Sequence, residues 1–239
     1  IEFRDLAMAF NEMTRRIRQM LHARESLLTD VSHELRSPLA RIRLALEFLP
    51  EGQARSSIMT DVGEMETAIG HLLDAARLKH GQARLKISPI DLAGFIQNIL
   101  SIYEHQPPGV IFMEPEHPVL GAIDPDQAKT VLQNIVQNAL QYSKAASEPV
   151  RVSLMDSGPS VTITIEDHGP GIPESELPFV FEPFYRVDRS RSRDTGGYGL
   201  GLSICKAIMD AHGGSIQLQS SPGKGVTVTL IFPKSPPPA

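Results

Sequence analysis

The sequence predicts two folded units in series: an all-α domain forming a dimeric four-helix bundle, then an α+β domain with helices on one face of a sheet. Two observations carry this. Between Leu28 and Ala76, apolar residues recur at three- and four-residue steps in two stretches separated by Pro50-Glu51-Gly52, the pattern of two antiparallel helices. After Gly81, short alternating runs bounded by turn residues are interleaved with amphipathic ones, and strands and helices segregate. The first pattern implies the dimer. A hairpin of two helices exposes too much apolar seam to stand alone, and pairing two copies buries both seams. An intramolecular coiled-coil hairpin is the alternative that helical spacing leaves open.

Composition narrows the function. The chain has 239 residues, enough for one large or two small domains. A net charge of −5 argues against nucleic acid as a main partner. A single cysteine, Cys205, rules out an internal disulfide and a cysteine metal cluster, and its apolar helix predicts a buried, inert thiol. No apolar run approaches the roughly 18 residues of a membrane span, and no secretory signal is visible. The chain begins at Ile1 inside a helical pattern, which reads as a piece of a longer protein, so the lack of a span says little about the parent.

Taken in order, residues 1–21 carry Leu6, Phe10, Met13, Ile17 and Leu21 at helical spacing. Phe10-Asn11-Glu12-Met13 resembles the end of a HAMP signalling helix, the coupler that follows a membrane span. Residues 22–81 form the helical hairpin. Leu28, Val31, Leu35, Ile42, Leu46 and Leu49 line its first helix, and Ile58, Val62, Met65, Ile69, Leu72 and Ala76 its second. The steps Met13–Ile17–Leu21 do not continue that heptad, and such a stutter locally unwinds a coiled coil. Residues 82–233 form the α+β domain. Strands are expected at Leu85–Asp91, Val110–Met113 and Val119–Ile123, and helices at Leu92–Glu104 and at Pro125–Tyr142, the latter with Asp124 as cap. A hairpin follows over Val150–Met155 and Val161–Glu166, then a helix over Leu200–Ala211 stopped by Gly213-Gly214. Ser215–Gln219 and Val226–Phe232 form the last hairpin, and residues 234–239 a disordered tail.

Val31-Ser32-His33-Glu34-Leu35-Arg36-Ser37-Pro38-Leu39 lies in the first long helix. Leu35 can face a core while His33 and Glu34 stay wet. An exposed neutral imidazole is a nucleophile, and a neighbouring carboxylate can take its ring proton as it attacks. Ser37 falls on the same face one turn on, and Pro38 can loosen the helix there. A lone surface histidine would be the better bet for a lone residue. Here the whole run His-Glu-Leu-Arg-Ser-Pro-Leu resembles the phosphoacceptor motif of sensor histidine kinases.

Such a histidine needs an ATP site, and neither a P-loop nor a dinucleotide fingerprint occurs. Asn134 and Asn138 share one face of the Pro125–Tyr142 helix, and amide oxygens suit a hard cation, although a polar helix face is their plainer reading. Asp167-His168-Gly169-Pro170-Gly171 ends a strand. Its carboxylate can accept an exocyclic amine, although alone it is an ordinary turn. Phe181-Glu182-Pro183-Phe184-Tyr185-Arg186 is an aromatic cluster that could equally be core. Gly196-Gly197-Tyr198-Gly199-Leu200-Gly201 opens a helix whose amides can hold phosphate. Arg186–Asp194, charged and flexible, is a candidate lid.

In order and spacing, these pieces resemble the catalytic domain of histidine kinases, a Bergerat-type ATP fold, and the resemblance covers essentially the whole chain. Asn-Ala-Leu-Gln-Tyr-Ser, Phe-Tyr-Arg and Gly-Gly-Tyr-Gly-Leu-Gly look most like the Cpx envelope-stress sensor subgroup. The resemblance implies that His33 is the phosphoacceptor, Glu34 its general base and Ser37 a residue of regulator dephosphorylation. It implies Mg²⁺ on Asn138 and Asn134, adenine on Asp167 with Tyr142 lining its pocket, and Gly169, Gly171, Gly199 and Gly201 shaping pocket and lid hinge. Arg186 would touch phosphate, and Ile172, Phe184, Gly197, Leu200, Leu202 and Thr227 complete the ATP set. Gln141 stands where many relatives carry Lys or Arg, so Lys144 or a lid arginine would supply that cation, and Ser37 stands where many carry Thr. The implied protein autophosphorylates from Mg-ATP as a homodimer and passes the phosphoryl to an aspartate of a response regulator receiver domain. Its parent is membrane-anchored, with this part on the cytoplasmic face of the bacterial inner membrane. A nucleotide-binding scaffold biased to phosphatase activity is the main rival. An ATP-driven clamp is disfavoured, because Asn134 stands where those ATPases carry their water-activating Glu.

Overall fold

The computed structural model describes residues 37–79, 85–144, 146–187 and 199–235. The chain divides into two compact units, Ile1–Arg77 and Leu78–Ala239. The helix expected over residues 1–21, the stutter, and Leu28, Val31 and Leu35 lie outside the described residues.

In the first unit, helix α1 (37–47) and helix α2 (Gln53–Lys79) form a hairpin. The first helix closes through Phe48 N–H to Ala45 O and Leu49 N–H to Leu46 O, and the Arg55 guanidinium crosses the turn to Leu49 O at 3.1 Å. Leu39, Leu46 and Val62 are buried against one another, with Met59 and Ile69 packed on them. Among the described seam residues, Ile42, Leu49, Ile58 and Met65 stay open, 41–50% exposed. The ion pair of Arg43 with Glu66, 3.6 Å apart on the surface, contributes little.

The second unit is a two-layer sandwich. Its sheet holds β2 (Val110–Met113), β4 (Val150–Asp156), β5 (Ser160–Glu166), β7 (Val226–Pro233) and β6 (Ser215–Ser220) in the order β2-β4-β5-β7-β6. Only β2 and β4 run parallel; the other neighbours are antiparallel. A separate antiparallel pair joins β1 (Ser88–Asp91) to β3 (Leu120–Ile123). Helices α3 (Leu92–Leu100), α4 (Pro125–Tyr142) and α5 (Gly201–Ala211) cover one face. Val161, Ile163 and Ile165 of β5 and Val228, Leu230 and Phe232 of β7 point into that core, while Thr162, Thr164, Thr227 and Thr229 alternate to the other face. Cys205 is fully buried, and burial pushes its thiol up to about 12, so it is inert as expected.

The edges of the elements differ from expectation for local reasons. The first strand starts at Ser88 rather than Leu85, because the Lys86 amide turns aside to the Asp124 carboxylate at 2.7 Å. The third helix tightens into a 3₁₀ turn at Ser101–Tyr103. Lys234 is not part of a disordered tail: its amide bonds Pro159 O, and its ammonium bonds Asp156 at 2.6–2.7 Å, holding that carboxyl below its ordinary range. Residues 236–239 lie outside the described residues.

Candidate functional site

Helix α4 is the floor on which the candidate residues meet. Asp124 caps it, accepting from the Asp126 and Gln127 amides at 3.1 and 3.2 Å, and Pro125 fills the first turn, as its sequence predicts. Burying Val131, Leu132, Ile135, Val136 and Ala139 in the core turns Asn134 and Asn138 to the half-buried side of the helix. The Asn134 amide group donates to Thr130 O at 2.8 Å, which leaves its Oδ1 as an acceptor. A Cβ placed on Gly201 would lie 2.9 Å from that Oδ1 and 3.9 Å from Nδ2 of Asn138. The start of α5 therefore abuts the amide face of α4, and only glycine leaves that gap. Leu200, the residue before α5, caps it with no side-chain bond, so the first amides of the helix are not taken by a side chain of their own cap.

At the other end of α4 stands Asp167, which follows β5 and is 9% exposed. The amides of Gly169 and Val226 both address its Oδ1, at 2.8 and 3.2 Å, which leaves Oδ2 unengaged among the described residues. Burial pushes this carboxyl above its ordinary value, and the two amides pull it part of the way back. A Cβ on Gly169 would sit 2.9 Å from Tyr142 O, so the loop after Asp167 lies directly against the last turn of α4, where Tyr142 is 45% exposed. Gly171 adopts φ +72°, and a Cβ there would fall 2.1 Å from Ser221 O. The Ile172 amide donates to Ser220 Oγ at 2.8 Å. From Asn134 to Tyr142 the helix rises roughly 12 Å, room for a base at one end and phosphates at the other.

Phe184 and Gly199 are joined by a main-chain bond of 2.9 Å from Phe184 N–H to Gly199 O, and both have positive φ. This brings Phe184-Tyr185-Arg186 alongside Gly199–Gly201, and a Cβ on Gly199 would meet Tyr185 O at 2.7 Å and Arg186 Cγ at 3.2 Å. The Tyr185 hydroxyl donates to Glu176 and its ring packs on Phe179. Leu200 is buried in the core, Leu202 is half-buried, and Lys144 is exposed just past α4.

Thr227 is not brought to Asp167. It lies opposite Glu166 on the outer face of β7, and Val226, one residue earlier, makes the contact. His33, Glu34, Gly197 and lid residues 188–194 lie outside the described residues, whereas Ser37 lies in α1. Sequence reasoning missed Ser220, Val226 and the turn between them as a wall of the site. Ser221-Pro222-Gly223-Lys224-Gly225 is legible as a turn, but nothing in it tells which loop it faces. It also missed His168, whose Nε2 lies 3.5 Å from Glu148. Among the described residues no cluster of His, Cys, Asp or Glu could hold a metal, so a cation here would rest on amide oxygens and on a ligand's own charge.

An acceptor carboxylate, close-approach glycines, amide oxygens and a helix start thus line one surface, suited to an amine-bearing base at one end and a polyanion at the other. Comparison with known proteins agrees. Residues 123–236 match the family model described as histidine kinase-, DNA gyrase B- and HSP90-like ATPase, and residues 23–81 match the His Kinase A (phospho-acceptor) domain. The chain belongs to the sensor histidine kinases. The sensor protein RstB of Escherichia coli (strain K12) is 34% identical over 97% of this chain and 54% of its own length. The sensor histidine kinase CpxA of the same strain is 31% identical over 97% of this chain and 52% of its own, so the finer Cpx likeness is not singled out. The crystal structure of full-length ShkA in complex with AMPPNP superposes with a TM-score of 0.67 at 24% identity, over 90% of this chain and 47% of that one, a likeness of fold. The chain spans about half the length of the curated relatives it matches.

Proposed function

We propose that this chain is the kinase core of a sensor protein. It binds ATP along α4, transfers the γ-phosphoryl to His33, and passes it to an aspartate on a response regulator receiver domain. The observation that carries this reading is the convergence of Asp167 with Tyr142 at one end of α4 and of Gly201 with Asn134 and Asn138 along it. Asp167 accepts the adenine amine through Oδ2, Tyr142 lines the base, and the amides opening α5 face the phosphates. The oxygens of Asn138 and Asn134 fit Mg²⁺, whose bound charge neutralises the phosphates. Glu34 takes the imidazole proton as His33 attacks, and Ser37 serves regulator dephosphorylation. Arg186, held beside Gly199, reaches the phosphate end, with Lys144 as a second cation near Gln141.

Residues 22–81 act as the dimerisation and phosphotransfer part and 82–233 as the catalytic part. The half-open seam of α1 and α2 supports a homodimer whose hairpins form a four-helix bundle. The likeness to sensor proteins and the HAMP-like start support a parent anchored in the bacterial inner membrane with this part on its cytoplasmic face. No helix among the described residues is itself long and apolar enough to cross a membrane. Calorimetry with Mg-ATP tests the site. Asn138→Asp places a negative charge against the phosphates and should abolish autophosphorylation with the fold intact; label incorporated at the wild-type rate would refute the assignment.

A further inference from the structure

The loop that follows Asp167 is held from outside as well as by its own Gly169 amide on the Asp167 carboxylate. Pro170 O accepts from the Gly223 amide at 2.6 Å, and Asp167 N–H donates to Val226 O at 2.9 Å, so the tip of the β6–β7 hairpin presses on the loop from outside. Gly225, at φ +80°, has no room for a side chain, since a Cβ would fall 1.9 Å from Asp167 O. These links are main chain to main chain, and any sequence that makes the turn makes them. One link differs. Ser220 Oγ accepts the Ile172 amide at 2.8 Å and donates its own proton to Gly225 O at 2.6 Å. With both capacities used at short distance, this half-buried hydroxyl ties the far end of the loop to the hairpin that also supplies Val226 N–H to Asp167 Oδ1 at 3.2 Å.

We infer that Ser220 is a positioning residue for purine selection. Through Ile172 and Gly225 it sets how far the Gly169–Ile172 backbone stands from the Asp167 carboxylate, and thereby how well an amine-bearing purine is favoured over one with a carbonyl at that position. The inference rests on the nucleotide reading above. Asp167 reads the amine only if the opposite edge of the pocket is fixed. A loop released from Ser220 keeps its main-chain clamps but gains slack at Ile172, so discrimination is lost before binding is.

The test compares Ser220→Thr with Ser220→Val in the full chain. The two side chains share a shape and suit a strand, and they differ only in the hydroxyl. Affinities for Mg-ATP and Mg-GTP are measured by calorimetry, with Asp167→Asn alongside. Ser220→Thr should keep the wild-type ATP-to-GTP ratio, and Ser220→Val, which removes both bonds of the hydroxyl, should lower it by about tenfold. A merely structural serine would shift Tm and leave the ratio unchanged. An unchanged ratio in Ser220→Val while Asp167→Asn loses ATP overturns this inference alone. Full ATP affinity in Asp167→Asn overturns the nucleotide reading and this inference with it.

Discussion

Asp167 is held in a place that does not suit a charge. Burial raises its carboxyl above the ordinary carboxylate value, and the amides of Gly169 and Val226 offset this only in part. A folded pKa above the unfolded one favours the fold at low pH, and that advantage is lost as pH rises through the folded value. At neutral pH the ionised side chain is therefore a liability that a neutral isostere would not carry. Asn offers an oxygen to both amides, but its amide group presents donors where adenine needs an acceptor. Asp167→Asn should thus unfold at the same Tm as wild type or higher, while ATP affinity falls about tenfold or more. Thermal unfolding beside calorimetry checks both halves, and a Tm several degrees lower would make Asp167 a structural residue. Asp167 is legible in the sequence only in company: Asp-His-Gly-Pro-Gly alone is an ordinary turn, and its order with the Asn134–Asn138 helix and the Gly196–Gly201 run singles it out. Thr227 pairs with Glu166, and it is the main-chain amide of Val226, whose direction no side-chain pattern encodes, that reaches the carboxylate.

Among the elements, α4 and α5 are tied at both ends, by Gly201 against Asn134 near the site and by His212 at the far end. His212 Nε2 accepts the Asp124 amide at 3.0 Å, so its proton sits on Nδ1, which donates to Ile208 O at 2.8 Å. The imidazole is 2% exposed and lies edge-on to Phe232, 5.4 Å between centroids. Burial depresses its pKa, opposed by the Ile208 carbonyl and the Asp124 charge. Protonation would set an N–H against the Asp124 N–H. The stabilisation is full above the unfolded value of about 6.5 and is lost as pH falls from there through the folded one. Urea midpoints at neutral and mildly acidic pH should show a loss of stability that His212→Gln reduces; an identical pH dependence in the two proteins would contradict the role. Element positions were largely legible, since Asp124-Pro125, Gly213-Gly214 and the turn at Ser157-Gly158 are local signals. Pairing was not. The parallel placement of β2 beside β4, the His212–Asp124 bond across 88 residues and the Ser220–Ile172 bond across 48 depend on packing that no local spacing encodes.

For the molecule as a whole, the apolar seam of the helical hairpin is only partly closed among the described residues. Leu39, Leu46 and Val62 are closed within one chain, whereas Ile58 and Met65 on α2 remain 42% and 41% exposed at heptad spacing. Asp at both Ile58 and Met65 should leave the hairpin core intact, yield monomers in sedimentation, and preserve ATP binding by the other unit. A wild-type chain that sediments as a monomer at micromolar concentration would contradict the bundle. The seam pattern is legible in the sequence because it repeats; which part a single chain buries is not, because that depends on how the hairpin closes. The dimer matters because it would carry the phosphoacceptor, and the central claim is that His33 receives the phosphoryl from ATP. The direct measurement is incorporation of radiolabel from [γ-³²P]ATP with Mg²⁺ into wild type and His33→Gln, followed by acid and alkali treatment. Wild type should take up label that is lost in acid and survives alkali, as a phosphoramidate does, and His33→Gln none despite normal ATP affinity. Label that survives acid, or that persists in His33→Gln, would contradict that claim.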